Sequence, residues 1–385
     1  MRIIVVGGGI VGASAAFHLT GLGAEVYLVD SNASGRATFA GAGIVCPWLS
    51  KTTDPRYEAI SFAGARYYPE LVSMLAAVGE TGIDYSLVGG LVVGESAVEL
   101  DPVIRRLEKY LERGIKEVGQ IQLLEAGKPQ ELFPYLDPSL AAIHLSGAAR
   151  VSGESFRTAL VNAAVKAGAI QRTGIASLQC TDDHSVVGVH IDGEFLSADT
   201  VLVAAGAWST DLCRPLGLHL GVEPQRGQIL HLKVREEEQT EALPLIVPVL
   251  TDYYLLGFPE SKVVMGATRE TGAKFDFRVT AGGVAEILLE GLRIAPGLKK
   301  ATLVEVRVGF RPMTEDGLPS IGRPSGISGL VIATGMGRYG LTVGPYAGLL
   351  AATVAVGQTP EADLSWFAPD RFYLKDLGFS FSGRS

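Results

Sequence analysis

Positive charge is the first thing this chain is short of. Lys and Arg number 33 against 41 Asp and Glu, a net charge of −8. Polynucleotide binding needs clustered cations that displace counterions from phosphates, so nucleic acid is excluded as a partner. Cysteine is scarce as well. Cys46, Cys180 and Cys213 are widely spaced and odd in number, which excludes a disulfide framework and a paired-cysteine zinc site, and predicts a reducing, cytoplasmic setting. The six histidines are scattered and form no metal pattern, so no metal is expected. No apolar run reaches the roughly 18 residues of a spanning helix. The apolar start, Ile3 to Leu19, is interrupted by Gly7, Gly8, Gly9 and Gly12, and no convincing cleavage site follows it. Peripheral contact with the inner face of a membrane stays compatible with all this. Hydrophobic residues are 47% of the chain and charged residues 19%, so the signature of disorder is missing too.

Glycine, by contrast, is abundant: 48 in 385 residues, without a repeating period, which points to tight turns and to backbone pressed against ligands. A chain of this length suits two or three domains of about 150 residues. Residues 2–6 (RIIVV) read as a buried strand, Ile10 to Leu22 as an Ala-rich helix, and Glu25 to Asp30 as a second strand ending in an acid. Between strand and helix stands Gly7-x-Gly9-x-x-Gly12. Gly7 permits the turn, Gly9 lets the backbone approach a pyrophosphate, and Gly12 lets helix pack on strand. The amides near Ile10 and Val11 are the expected phosphate contacts, at the positive end of the helix dipole. Asp30 is placed to accept hydrogen bonds from ribose hydroxyls, and its charge disfavours a ribose 2′-phosphate. The unit predicts a dinucleotide and leaves FAD and NAD open.

Further along, Glu58–Val78 and Val103–Arg113 have helical patterning, and Leu87–Val93 reads as a strand. Ser152 or Ser155 caps a helix reaching Lys166, followed by strands near 170–180, 186–191 and 200–203. The stretch 228–268 is strand-rich, with 235–238 (REEE) as a solvated hairpin end. A helix over 282–294, strands over 302–310 and 330–334, and a helix over 343–356 complete the reading. Neither a repeat nor a low-complexity linker separates these segments, so the domains are expected to interleave. The fold class is α/β, a Rossmann-like nucleotide domain with an interleaved α+β domain on a mostly antiparallel sheet. The boundaries expected are 1–85, 146–220 and 306–385 for the first domain, and 86–145 with 221–305 for the substrate domain.

Small-residue segments favour FAD. After Asp30 and Ser31 come Gly35-Arg36-Ala37-Thr38 and Ala40-Gly41-Ala42-Gly43-Ile44, where a bulky ring system could lie against backbone. Together with VVGGGIVGASAAFHL at the start, VLVAAGAWS at 201–209 (with Gly206 and Trp208), GFRPMT at 309–314 continuing through Asp316-Gly317 to Gly322, and ATGMGRYGLTVGPYAG at 333–348, they give the chain its resemblance to a family. It resembles the D-amino-acid oxidase family of FAD oxidoreductases, near glycine oxidase and the bacterial D-amino-acid dehydrogenases, over nearly its whole length.

The resemblance implies roles. Arg311 would pair with the substrate carboxylate, a task suited to a planar, permanently charged guanidinium; the alternative is a structural ion pair, with Asp316 at hand. Arg338 would lie beside the substrate pocket. Tyr254 would hold the carboxylate through its hydroxyl, with Tyr253 as the rival, since alternate strand residues face opposite ways. The turn Gly335, Met336, Gly337, Arg338, Tyr339, Gly340, Leu341 and Thr342 would bring helix-start amides to the flavin, and the backbone of Ile175 would meet the adenine. Val264 stands where sarcosine oxidase has lysine, Met336 where many relatives have histidine, and no cysteine lies near Arg311. Non-covalent FAD and a substrate other than sarcosine are therefore expected. The implied reaction passes a hydride from the Cα–H of a D-amino acid, glycine or a secondary amine of the D-proline type to flavin N5, and the imine then hydrolyses to a 2-oxo acid. A 2-hydroxy-acid or glycerol-phosphate oxidoreductase is the alternative. Oxygen or a quinone would take the electrons, and homo-oligomerisation stays open.

Overall fold

The computed structural model describes residues 1–52 and 54–372; Thr53 and the stretch 373–385, the end of the expected 306–385 segment, lie outside the described residues. A six-stranded sheet runs in the order Ser320–Gly322, Leu330–Thr334, Thr200–Val203, Arg2–Val6, Glu25–Asp30, Ile170–Thr173. All its pairs are parallel except the one between Ser320–Gly322 and Leu330–Thr334. The β-branched RIIVV strand sits at its centre, with Ile3, Ile4 and Val5 fully buried. Helix Ile10–Gly21 packs against helices Gly153–Lys166 and Gly340–Ala355. Small residues permit that approach: a Cβ at Gly348 would lie 2.6 Å from the Cβ of Ser14, whose hydroxyl donates to the carbonyl of Pro345 at 2.6 Å.

The second layer is an eight-stranded sheet ordered Thr302–Thr314, Val222–Lys233, Lys262–Gly266, Tyr254–Phe258, Leu245–Pro248, Gly90–Gly94, Ala141–Leu145, Ile121–Leu124. It is antiparallel except where Leu245–Pro248 meets Gly90–Gly94. Strand Thr302–Thr314 runs through the boundary expected at 305/306, because it pairs with Val222–Lys233 on both sides of a register shift at His231/Leu232. Two smaller sheets hold Ala176–Cys180, Val186–Ile191 and Glu194–Ser197, and Ile44–Val45, Ala149–Arg150 and Ser86–Leu87.

Several expected elements shift for local reasons. The strand read over 87–93 is two strands in two sheets, separated at Gly89, whose φ is 71°. The stretch 170–180 likewise divides between two sheets. Helix Pro55–Ala77 starts before Glu58 because the Asp54 carboxylate caps it and Pro55 takes the first position. Helix Ala97–Glu112 starts before Val103, capped by Ser96, with Pro102 inside its first turns. Of the two candidate caps near 152, Ser152 is the one that accepts from the Ser155 amide. Arg235, Glu236 and Glu237 are exposed as expected, while Glu238 accepts from the hydroxyl of Tyr135 at 2.6 Å.

Candidate active site

A continuous cavity of about 810 Å³ lies between the two main sheets and borders residues of both. Its nucleotide end is built from backbone. Gly7 has a φ of 107°, and a Cβ there would lie 2.4 Å from the carbonyl oxygen of Ala204, so the turn out of the first strand requires glycine. A Cβ at Gly12 would meet the Gly7 carbonyl oxygen at 1.9 Å. Gly12 therefore does not line the cavity; it seats the helix on the turn. Gly9 caps that helix without a side-chain hydrogen bond. The amide of Ile10, expected on a phosphate, instead donates to the Thr38 hydroxyl at 3.0 Å. Val11 follows in the first turn, where an amide has no intrahelical acceptor, and it lines the cavity.

The buried carboxylate of Asp30 accepts from Arg36 at 3.2 Å and from the amide of Asn32 at 3.2 Å. Arg157, a residue the motifs did not single out, lies 3.9 Å from the same carboxylate and donates to the carbonyl of Gly8 at 2.6 Å. One carboxylate thus stands between two guanidinium groups at this end. Ser31, Ala37, Ala42, Gly43, Ile44, Gly206 and Trp208 also line it. Ile175 borders it too, but lies just before the strand Ala176–Cys180, exposes its side chain, and has its amide bound to the Asp192 carboxylate at 3.1 Å. Its carbonyl in turn accepts from the amide of Asp192 at 3.2 Å.

At the far end the side chains come from distant strands. Arg311 projects from Thr302–Thr314 and lies over Gly227 of the paired strand, where a Cβ would come within 2.5 Å of the guanidinium. Its recorded partner is the carbonyl of Thr268, at 3.0 Å. Among the described residues no carboxylate lies within ion-pair distance of it. The expected structural alternative does not form, since Asp316 is held by Arg371 at 2.8 Å. Burial pulls the Arg311 pKa down; Tyr254 opposes this, and the cations of Arg269 and Arg338 add to it. A guanidinium nevertheless stays charged at working pH.

Tyr254 lies opposite Gly266, where a Cβ would sit 2.6 Å from its hydroxyl, so the strand glycine makes the room that the ring occupies. Burial raises the Tyr254 pKa against the pull of Arg311 and Arg269, which keeps the phenol protonated as a donor. Tyr253 also borders the cavity, but its hydroxyl donates to Glu286.

Arg338 reaches the cavity on the turn Gly337–Tyr339 and faces Asp252 at 3.5 Å. Asp252 also holds Arg269 and Lys51, each at 3.0 Å. Asp252, Arg269 and Lys51 did not stand out in the sequence. Arg269 gave the only available hint, as a charge closely following an apolar strand that ends at Gly266.

Helix Gly340–Ala355 begins three residues earlier than expected, and Met336, Gly337, Tyr339, Gly340 and Leu341 line the cavity. Its first turn is fixed by the Tyr68 hydroxyl on the carbonyl of Leu341 and by the Thr342 hydroxyl on the carbonyl of Ile44. Thr342 and Gly335 do not line the cavity: Thr342 is the buried pin just described, and Gly335 packs on Thr314. Of the three free cysteines, Cys46 borders the cavity, and burial pushes its thiol pKa up, away from a nucleophilic thiolate. Among the described residues no helix is long and apolar enough to cross a membrane.

A glycine turn, a helix start bordering the cavity, a buried acid at the end of the second strand and a largely apolar wall fit a flavin dinucleotide. The comparisons agree. The family described as DAO, FAD dependent oxidoreductase, matches residues 2–354. The chain is 41% identical to an uncharacterised oxidoreductase of Bacillus subtilis (strain 168) over 95% of this chain and 98% of that one. It is 30% identical to a glycine oxidase of Pseudomonas putida over 96% of this chain and 98% of the relative. The crystal structure of iminodiacetate oxidase from Chelativorans sp. BNC1 superposes with a TM-score of 0.91 at 43% identity, covering 96% of this chain and 99% of that one. With the family spanning both sheets and the cavity between them, the chain belongs to the DAO family of FAD dependent oxidoreductases and is an FAD-dependent amino-acid oxidase or dehydrogenase acting on C–N bonds.

Proposed function

We propose that the enzyme oxidises the C–N bond of a small amino acid or secondary amino acid held by its carboxylate on Arg311 and Tyr254. The observation that carries this reading is the Arg311 guanidinium, which faces the cavity and has, among the described residues, a single carbonyl partner and no acid. A buried cation without a counter-ion is costly unless a ligand supplies one, and a carboxylate fits its fork through two parallel hydrogen bonds. Two relatives, named glycine oxidase and iminodiacetate oxidase, support a small amine bearing a carboxylate.

FAD, when bound, would supply a two-electron acceptor for the hydride leaving the substrate Cα, and the imine so formed would hydrolyse to a 2-oxo acid and an amine or ammonia. The protein's part is orientation and charge. Arg311 and the Tyr254 hydroxyl fix the carboxylate, which aims the Cα–H and removes the entropic cost of alignment. The cations of Arg311, Arg269, Arg338 and Lys51 disfavour an ammonium beside them, and so favour the neutral amine whose lone pair assists hydride departure. Among the described lining residues there is no histidine, and none is needed. The helix start at Gly340 and Leu341 presents amide dipoles to negative charge that develops nearby.

Anaerobic mixing of the holoenzyme with glycine, D-alanine, D-proline, iminodiacetate and a 2-hydroxy acid tests the reading through bleaching of the oxidised flavin band. Bleaching by an amine, with ammonia or a primary amine released, is the expected result. Bleaching by the hydroxy acid alone would replace it with alcohol oxidation. Admitting air afterwards separates an oxidase from a dehydrogenase.

A further inference from the structure

Four cations and one carboxylate meet at the Arg311 end of the cavity. Asp252 faces Lys51 through Oδ1 at 3.0 Å, and through Oδ2 it faces Arg269 at 3.0 Å and Arg338 at 3.5 Å. Arg269 donates further to the Asp252 carbonyl at 2.9 Å, and Lys51 to that of Thr251, also at 2.9 Å. One carboxylate cannot neutralise three cations. Arg311 adds a fourth, close enough that Arg269 and Arg338 each lower its pKa.

The other acids near this end are already committed. Glu270 is bound by Arg226 and by the side chains of Gln228 and Thr268, Asp276 by Arg226 and Arg278, and Asp316 by Arg371. Nor does the expected pyrophosphate site call for this charge, since the helix start at Gly9–Val11 lies at the other end of the cavity. Positive charge facing a largely apolar wall, with few acids to offset it, draws anions strongly.

We propose that Arg269, Arg338 and Lys51, gathered on Asp252, form a second anion subsite, and that the enzyme takes amines carrying two carboxylates. One carboxylate lies on Arg311 and Tyr254 and the other on this cluster. An ordinary amino acid brings one negative charge and, before deprotonation, one positive charge, which leaves the cluster uncompensated. A dicarboxylic amine brings two negative charges and compensates both groups. The proposal rests on the C–N oxidation reading for its substrate, but the subsite itself is a binding site that can be probed without turnover.

The test uses the holoenzyme and two matched pairs of probes. N-methylglycine and iminodiacetate differ by one carboxylate and report through flavin reduction. Butyrate and glutarate differ in the same way, cannot be oxidised at a C–N bond, and report through perturbation of the flavin absorbance on binding. In the unaltered protein the dicarboxylate of each pair is expected to bind at least about tenfold more tightly. R269Q and R338Q are each expected to shrink that ratio by about tenfold or more, the size of one charge-assisted hydrogen bond, and R269K to recover part of it. If the ratio is unchanged in both Gln variants, or KM rises equally for both amines, the subsite is overturned. If neither amine reduces the flavin while glutarate still outbinds butyrate in an Arg269-dependent way, the oxidation reading fails and the subsite stands. If both amines reduce it without discrimination, the reverse holds.

Discussion

The two ends of the cavity are built on opposite principles. At the Asp30 end, contacts come largely from backbone, and one buried carboxylate stands between two cations, Arg36 and Arg157. At the Arg311 end, contacts come from side chains on separate strands, and positive charge is in excess. The first end suits a ligand that every member of a fold must hold. The second suits a ligand that differs from one relative to the next, because a side chain can be exchanged without disturbing the turn or helix that carries it.

Five substitutions, the last two as a pair, test this division, from the largest effect to the smallest. Gly12→Val places atoms where the Gly7 carbonyl stands, so neither a rotamer change nor a ligand can relieve it. It should yield protein without the yellow flavin spectrum or no folded protein at all, a loss of about 4 kcal/mol or more. A soluble variant with stoichiometric flavin would show that the backbone end is less rigid than described. Arg311→Ala should keep its flavin and lose about 100-fold or more in turnover of the best substrate, ~3 kcal/mol of carboxylate binding and alignment. If turnover falls by less than about tenfold (~1.4 kcal/mol), the carboxylate-clamp assignment fails.

Asp30→Ala should act in the opposite way. It should weaken FAD binding by about 10- to 100-fold, as expected for a lost charged hydrogen-bond acceptor, while kcat at saturating FAD stays within about twofold. Titration of the apoprotein followed by flavin fluorescence, with kinetics at high FAD, separates the two effects. The smallest contrast is between the neighbouring tyrosines. Tyr254→Phe should raise KM by about tenfold through loss of one hydrogen bond to a charged group, and Tyr253→Phe by less than about twofold, since its hydroxyl is engaged by Glu286. Equal effects from the pair would mean that both hydroxyls, or neither, reach the substrate.

Legibility in the sequence follows the same divide. Gly7, Gly9, Gly12 and Asp30 fall within one strand–helix–strand unit, whose spacing is dictated by local geometry, so their placement could be read directly. Strand Glu25–Asp30 could be read for the same reason, and the helix cap near 152 was narrowed to Ser152 or Ser155, of which the structure uses Ser152. Arg311 and Tyr254 entered through resemblance, but a physical signal lies beside each. Gly227 and Gly266 are strand glycines that give up packing of their own to make room for the guanidinium and the phenol. Lys51, Asp252 and Arg269 had no such signal. They sit in loops far apart in the chain, and nothing in the spacing of a loop residue says which distant strand end it will face.

From the sequence alone came the dinucleotide-binding strand–turn–helix and many of the strands and helices around it. Those features rest on short-range rules of turn geometry, periodicity and helix termini, which act between residues a few positions apart. Only the tertiary structure decided that Ile10 spends its amide on Thr38, that Asp316 belongs to Arg371 and so leaves Arg311 unpaired, and that three cations converge on Asp252. Each of those outcomes depends on which partner is nearest in space. Long-range packing of the eight-stranded sheet against the nucleotide unit sets that distance, and the order of residues along the chain does not.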